Sequence, residues 1–467
     1  MTTPLTTRRA RRARTAGAAL VAALALTVAP LTTAQAAPSP APSASASTAG
    51  GAAARWTTRD VSAQKAVDSV SITADGTVDL LRVTSNLVGD VTSRWTAALY
   101  RQSRSGKTTH VRTFTGSSVE TLPSLRTGED GSSILVIPAP TAGTRASVRI
   151  RRNGSTTWIN AGAPSGALAG IAADTQKNGT ITVAFADGQS LRTSTRAPGK
   201  GWSKARTVVT TPSLGDGFYE YAYVHLDVTA NGAATVAIDR FLFTWDGTEL
   251  KASLYAASRT ASASAFGRAT KLASTYVRNV SVAQAGKKSI VAWSGENASG
   301  VSRALVRTRS SATSSWSRTQ ALATAASPGS GWFDVTVAGS PDGRATLVHT
   351  GHDAKARVRV LSRGKDTSFS KPVLTVTRAR TALLAQRHNG AATLVTVTGD
   401  ASATTGTLAV RTSNKAGTRW SKASTLGTAV TGWEGTQSLA VARSGATVVA
   451  WVAKTSGTRS HLVASHR

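Results

Sequence analysis

Between Gly215 and Asp227 the chain reads GDGFYEYAYVHLD. Three of the six tyrosines in the whole sequence fall within five residues here, together with Asp216, Glu220 and Asp227. Acid is scarce elsewhere, with 23 Asp and Glu against 55 Lys and Arg, a formal net charge of +32. The same pairing of ring and carboxylate recurs in GSGWFD (329–334), TGWEG (431–435), FTWDGTE (243–249) and AWSGEN (292–297). A flat ring beside a carboxylate suits a sugar, whose C–H face stacks on the ring while its hydroxyls bond the acid. The residue types therefore nominate Tyr219, Glu220, Trp245, Trp293, Glu296, Trp332, Asp334, Trp433 and Glu434 as ligand contacts.

The elements that must hold these residues follow from comparing the chain with itself. GWSKARTV (201–208), SWSRTQAL (315–322) and RWSKASTL (419–426) align closely, and weaker copies include RWTTRDV (55–61). Before most copies stands a strand such as LRTSTR or ALVRTR, and earlier still a hairpin with a glycine turn, as in DVTANGAATVAI and LAVARSGATVVAW. Asn-Gly, Asp-Gly and Ser-Gly between alternating apolar runs mark tight hairpins. Each unit thus holds four short strands, a to d. The period is about 50 residues, in the range of a propeller blade. Complete units begin near 68, 117, 167, 222, 279, 333 and 382. An eighth starts at 437 without a fourth strand, and RWTTRDV supplies the missing one. The sequence predicts an all-β protein, a single β-propeller of about eight four-stranded blades over 55–467. An N-terminal strand pairing with the last blade closes it. Seven blades is the alternative, because the unit at 117–163 is weakly patterned.

SNKAGTRW (Ser413–Trp420) resembles the Asp-box, Ser-x-Asp-x-Gly-x-Thr-Trp, of sialidase-like (BNR-repeat) propellers. Ser413, Gly417 and Trp420 match, whereas Lys415 replaces the Asp and Arg419 the Thr. The resemblance covers the repeats throughout and implies fold, since such boxes occur in propellers with no common chemistry. A sialidase-like enzyme uses a tyrosine nucleophile with a glutamate, an acidic Asp and an arginine triad. Tyr219, Glu220, Asp239 and Arg240 are the residues that supply some of these parts. No Phe/Tyr-Arg-Ile-Pro motif opens the propeller, and no trio of arginines recurs on the mouth.

In such a ring the d–a and b–c connections open on the channel mouth and the a–b and c–d turns on the opposite face. The c–d turns are basic, as in RQSRSGK and STRAPGKGWSKAR. Twelve of the 23 acids sort to the mouth: Asp90, Asp187, Asp216, Glu220, Asp239, Asp246, Glu249, Glu296, Asp334, Asp353, Asp400 and Glu434. Alternation puts Tyr219, Tyr221, Tyr223 and His225 on one side of an inner strand. Most of that stripe is then packing between blades, with Tyr219 and Glu220 at the mouth.

Other chemistry is poorly provided for. SGKTT (105–109) has Arg101 where a phosphate-binding loop needs glycine. HTGHD (His349–Asp353) offers two imidazoles and a carboxylate but no further metal ligand. No cofactor or metal motif is present, and there is no cysteine.

Residues 1–36 have a cationic start (Arg8–Arg14), an apolar run and Ala34-Gln35-Ala36, the pattern of a secretory signal. Residues 37–54 are a Pro/Ala/Ser-rich tether. The signal carries five arginines and no acid, so the mature charge is +27. Such a surface holds anionic polymers in a salt-dependent way, and nucleic acid only non-specifically. The resulting expectation is a secreted, monomeric bacterial protein without a membrane span that binds glycans or anionic cell-envelope polymer without catalysis. A sialidase-like glycoside hydrolase and a protein-interaction scaffold are the alternatives.

Overall fold

The structure, a computed structural model, describes residues 56–466 apart from 62–66, 89–91, 119–121, 140–143, 168, 214–218, 244–249, 275–276, 353–355, 365–367, 370, 401–402, 431–436 and 456–457. The expected leader and tether lie outside the described residues.

Eight four-stranded antiparallel sheets follow one another along the chain. Blades 1 to 7 occupy 69–118, 124–162, 169–210, 219–273, 277–324, 333–377 and 379–430, each with its strands in chain order. Blade 8 is built from Gln437–Val441, Thr447–Thr455, Thr458–His466 and, outermost, Thr57–Asp60 from the other end of the chain. That closing strand runs antiparallel with Thr57 opposite Ser465 and Asp60 opposite Leu462. The pairing removes an exposed edge, the usual hazard of a sheet protein. The weakly patterned second unit is a complete blade, with strands of only four or five residues.

Period-2 alternation explains how the blades pack. In blade 4, Ala222, Leu226 and Val228 face blade 3, packing with Ala184 and Leu191. The opposite side faces blade 5, where Ala237, Leu254 and Leu272 pack with Val291 and Trp293. The second strand of a blade is buried on both sides, as in Ser133–Ile137, and reads as apolar throughout, whereas outermost strands such as Arg206–Thr210 stay largely exposed. The a–b hairpins need a residue at positive φ. In Thr229–Ala233 it is Gly232 at φ +96°, while Asn231 Oδ1 accepts from the Thr229 hydroxyl at 2.6 Å. The degenerate Asp-box closes in a similar way. Ser413 pairs with Trp420, and Asn414 Oδ1, one position before Lys415, accepts from the backbone N–H of Thr418 and Arg419 at 3.0 and 3.2 Å. A neutral amide thus caps this turn.

The innermost strands surround a channel and are stitched around the ring. A side-chain oxygen of one blade accepts from a backbone N–H of the next: Ser438 from Val70 at 3.1 Å, Ser69 from Leu125 at 3.1 Å and Ser281 from Val337 at 3.1 Å. Asp174 does the same for Val228 at 3.2 Å, and Asp227 for Gln284 at 2.6 Å.

Candidate functional site

The mouth of blade 6 is assembled by three short segments. The strand Phe333–Gly339 buries Phe333 and Val335 against blade 5, which leaves Trp332 just before it at the mouth. Trp332 is 51% exposed, the only exposed tryptophan among the described residues. His352 follows the partner strand Ala345–Gly351, and its backbone N–H donates to the Trp332 carbonyl at 2.9 Å. The two rings stack with centroids 4.8 Å apart and planes at 16°.

Beside them, Asp334 is held from two sides. His352 Nε2 lies 2.6 Å from Asp334 Oδ2, and Asn279 Nδ2 donates to Oδ1 at 2.6 Å. Asn279 reaches across from blade 5 because the strand Val277–Ala285 bulges between Arg278 and Ser281. There Asn279 takes φ +49°, a left-handed conformation that asparagine tolerates better than most residues. A bulge that re-aims one side chain at a site is a known use of this irregularity. The result is an exposed indole backed by an imidazole, with a carboxylate whose rotamer is fixed. Rigid aromatic surface next to an oriented acceptor is what a sugar ring needs.

The other nominated residues fall elsewhere. Trp293 is 1% exposed and belongs to the core between blades 4 and 5, so its ring is not at the mouth; the strand Lys288–Glu296 alternates it inward. Glu296 ends that strand and is half-buried at the mouth side. Tyr219 and Glu220 begin the strand Tyr219–Val228, opposite Phe243 and Leu242. Their side chains lie outside the described residues, as do Trp245, Trp433 and Glu434 altogether. Asp239 sits inside the strand Ala234–Phe243 rather than in a mouth loop. It is 5% exposed and 2.6 Å from His225 Nε2. Arg240 alternates to the opposite face, is fully buried, and donates to Thr211 Oγ1 and, at 3.1 Å, to the Pro212 carbonyl. Asp239 and Arg240 therefore do not converge. Tyr221 and Tyr223 flank Phe241, with ring centroids at 5.4 and 5.5 Å, on the side that faces blade 5. The tyrosine stripe is packing along this length. His349 and His352 also part: His349 is buried against Phe333, and burial together with Arg359 pushes its imidazole down to about 4.

One charged group lies where sorting acids by loop did not look. The channel widens to a cavity of about 300 Å³ lined by the inner strands of all eight blades. At its end near the a–b turns stand Glu129, Asp174 and Asp227 from blades 2, 3 and 4, with Arg126, His388 and Arg443. Arg126 Nη2 donates to Asp174 Oδ2 at 2.5 Å. Burial, reinforced by the charges of Asp174 and Asp227, pushes the Glu129 carboxyl up to about 8. Burial also raises both aspartates. Asp174 and Asp227 occupy strand interiors, so the signal for them was the inner-strand periodicity, read two residues before each turn.

On the same side as these turns, Lys107, Lys177, Lys200, Lys204, Lys287, Lys415 and Lys422 are exposed. Two acids of this face are already paired, Asp130 with Arg152 at 3.1 Å and Asp342 with Arg344.

No family model matches the sequence, and no curated protein does. Solved structures do resemble it in fold. A PL25 ulvan lyase bound to -[GlcA(1-4)Rha3S]- is 10% identical, over 86% of this chain and 95% of the other, with a TM-score of 0.44. A sialidase of Streptococcus pneumoniae is 9% identical over 88% and 97%, with a TM-score of 0.36. A Hadza microbial sialidase is 11% identical over 88% and 95%, with a TM-score of 0.38. The chain resembles sialidase-like β-propellers in fold, and likeness at this distance says nothing of a shared site.

Proposed function

We propose that the protein is a secreted, non-catalytic propeller that binds glycan at its mouth and anionic cell-envelope polymer on its basic face. The leader-like start at 1–36 and the tether at 37–54 support export, with the propeller as the working part. The observation that carries the reading is the platform of Trp332, His352 and Asp334, held by Asn279. Its indole is half exposed with His352 stacked on it, and its carboxylate is oriented by His352 and Asn279. The lysines of the opposite face support the second half, since clustered, unpaired cations attract polyanions at long range. The separation of Asp239 from Arg240 supports binding over turnover.

The test is a glycan and wall-polymer array probed with the protein at low and at high salt. Retention at the mouth survives high salt and is competed by a free sugar. Trp332→Ala weakens it by at least about tenfold, or ~1.4 kcal/mol, and Asp334→Asn weakens it too. Polyanion retention, by contrast, fades with salt in wild type and variants alike. Salt-resistant retention that is unchanged in both variants removes the mouth from the reading.

A further inference from the structure

Away from the mouth and the channel, blades 1 and 2 enclose a pocket of about 190 Å³ between their outer strands. Its floor is apolar: Leu99 and Val111 from blade 1, with Phe114 and Trp158 packed on the same core. Its polar groups are almost all donors. Arg112 comes from the strand Thr108–Ser118 and Arg149 from the strand Ser147–Arg151 of the next blade. Both guanidiniums lie over the Phe114 ring, at 5.5 and 5.2 Å from its centroid. Neither pairs with an acid among the described residues. The Nε of Arg149 and the indole Nε1 of Trp158 are buried without a hydrogen-bond partner. Thr156 completes the wall, its carbonyl fixed by Arg101 Nη1 at 2.7 Å.

Two guanidiniums converging on one ring repel each other, and the phenyl face returns only part of that energy. Burial, then the neighbouring Arg112, holds Arg149 below the usual guanidinium range. An entering anion relieves the repulsion between the two guanidiniums. Guanidinium forks match planar oxyanions. The apolar floor asks that the anion carry a C–H-rich body, and the volume lies below the ~300–1,000 Å³ of drug-sized sites, which limits it to one small ring.

We propose that this pocket binds an acidic saccharide unit, an oxyanion (carboxylate or sulfate ester) on a pyranose-sized ring, with Arg112 and Arg149 on the anion and Trp158 and Phe114 under the ring. The site is separate from the mouth platform and does not depend on it.

The test is calorimetric titration of the protein with glucuronate, glucose 6-sulfate, glucose and inorganic sulfate at fixed ionic strength. The two acidic sugars bind and glucose does not. Arg112 is exposed, so its substitution leaves the fold intact. Arg112→Ala weakens glucuronate at least tenfold, Arg112→Glu abolishes binding, and Arg112→Lys recovers part of it. Trp332→Ala changes nothing here, which keeps this result distinct from that at the mouth. Glucose binding as well as glucuronate overturns the oxyanion assignment, and so does a silent Arg112→Glu. Inorganic sulfate binding as tightly as the acidic sugars overturns the saccharide assignment, because the pocket then reads charge alone.

Discussion

Replacing Glu129 by Gln removes one charge from the channel while keeping the side chain's size. The carboxyl titrates at about 8 in the fold against an ordinary 4.5, because burial and the neighbouring Asp174 and Asp227 disfavour its ionised form. A raised folded value means that the folded state holds the proton more tightly than the unfolded chain. The stabilisation is complete below pH 4.5 and is lost as pH rises through about 8. At 1.36 kcal/mol per unit the ceiling is ~5 kcal/mol. Glu129 is only half-buried in a channel that admits water, and solvent screening reduces this to ~1–2 kcal/mol. Thermal unfolding of wild type and Glu129→Gln at pH 5, 7 and 9, at one scan rate, reads the difference even where unfolding is irreversible. The two proteins differ least at pH 5, where the loss has only begun, and the advantage of the variant is largest at pH 9. Parallel loss of stability in both proteins from pH 5 to pH 9 would show that Glu129 carries no buried charge, and the electrostatic account of the channel would fall with it.

Two further outcomes follow from the fold. Deleting residues 1–60 removes the strand Thr57–Asp60 and bares the edge of Thr458–His466; light scattering should then show association or aggregation in place of a single species. Trp293→Ala empties the core between blades 4 and 5 at a cost of ~3–5 kcal/mol, read as a lower unfolding midpoint, with mouth binding to glycan unchanged in the protein that remains folded.

The repeats made the ring legible because each blade must solve one problem, a four-stranded sheet packed between two neighbours, with the same alternation and the same glycine turns. The closing strand was legible for the same reason, since RWTTRDV is a d-strand with no a, b or c before it. What alternation does not carry is which of two buried faces a residue takes. Trp293 stands next to Ser294, Gly295 and Glu296 and shares their look of a mouth loop, yet the strand runs on to Glu296 and turns the indole inward. Asp239 and Arg240 are neighbours in sequence and opposite in space for the same reason. The pocket of Arg112 and Arg149 was beyond reach of the sequence. Its two halves come from different blades, and only the packing angle of those blades brings both guanidiniums over Phe114.

The channel acids separate what the fold requires from what it tolerates. Counting back two residues from the first residue of each a–b turn reaches Arg126, Asp174 and Asp227 in blades 2 to 4, but Ala338, Ala385 and Ala440 in blades 6 to 8. All six line the channel. Half of these positions therefore close the ring with a methyl group, and elsewhere the stitch to the next blade is made by a serine hydroxyl at no electrostatic expense. An acceptor for Val228 and Gln284 needs no charge. Two aspartates and Glu129 share that end of the channel with Arg126 and Arg443, and burial raises all three carboxyls. The charge is thus surplus to the architecture, and it is the charge, not the hydrogen bond, that ties stability of the inner ring to pH.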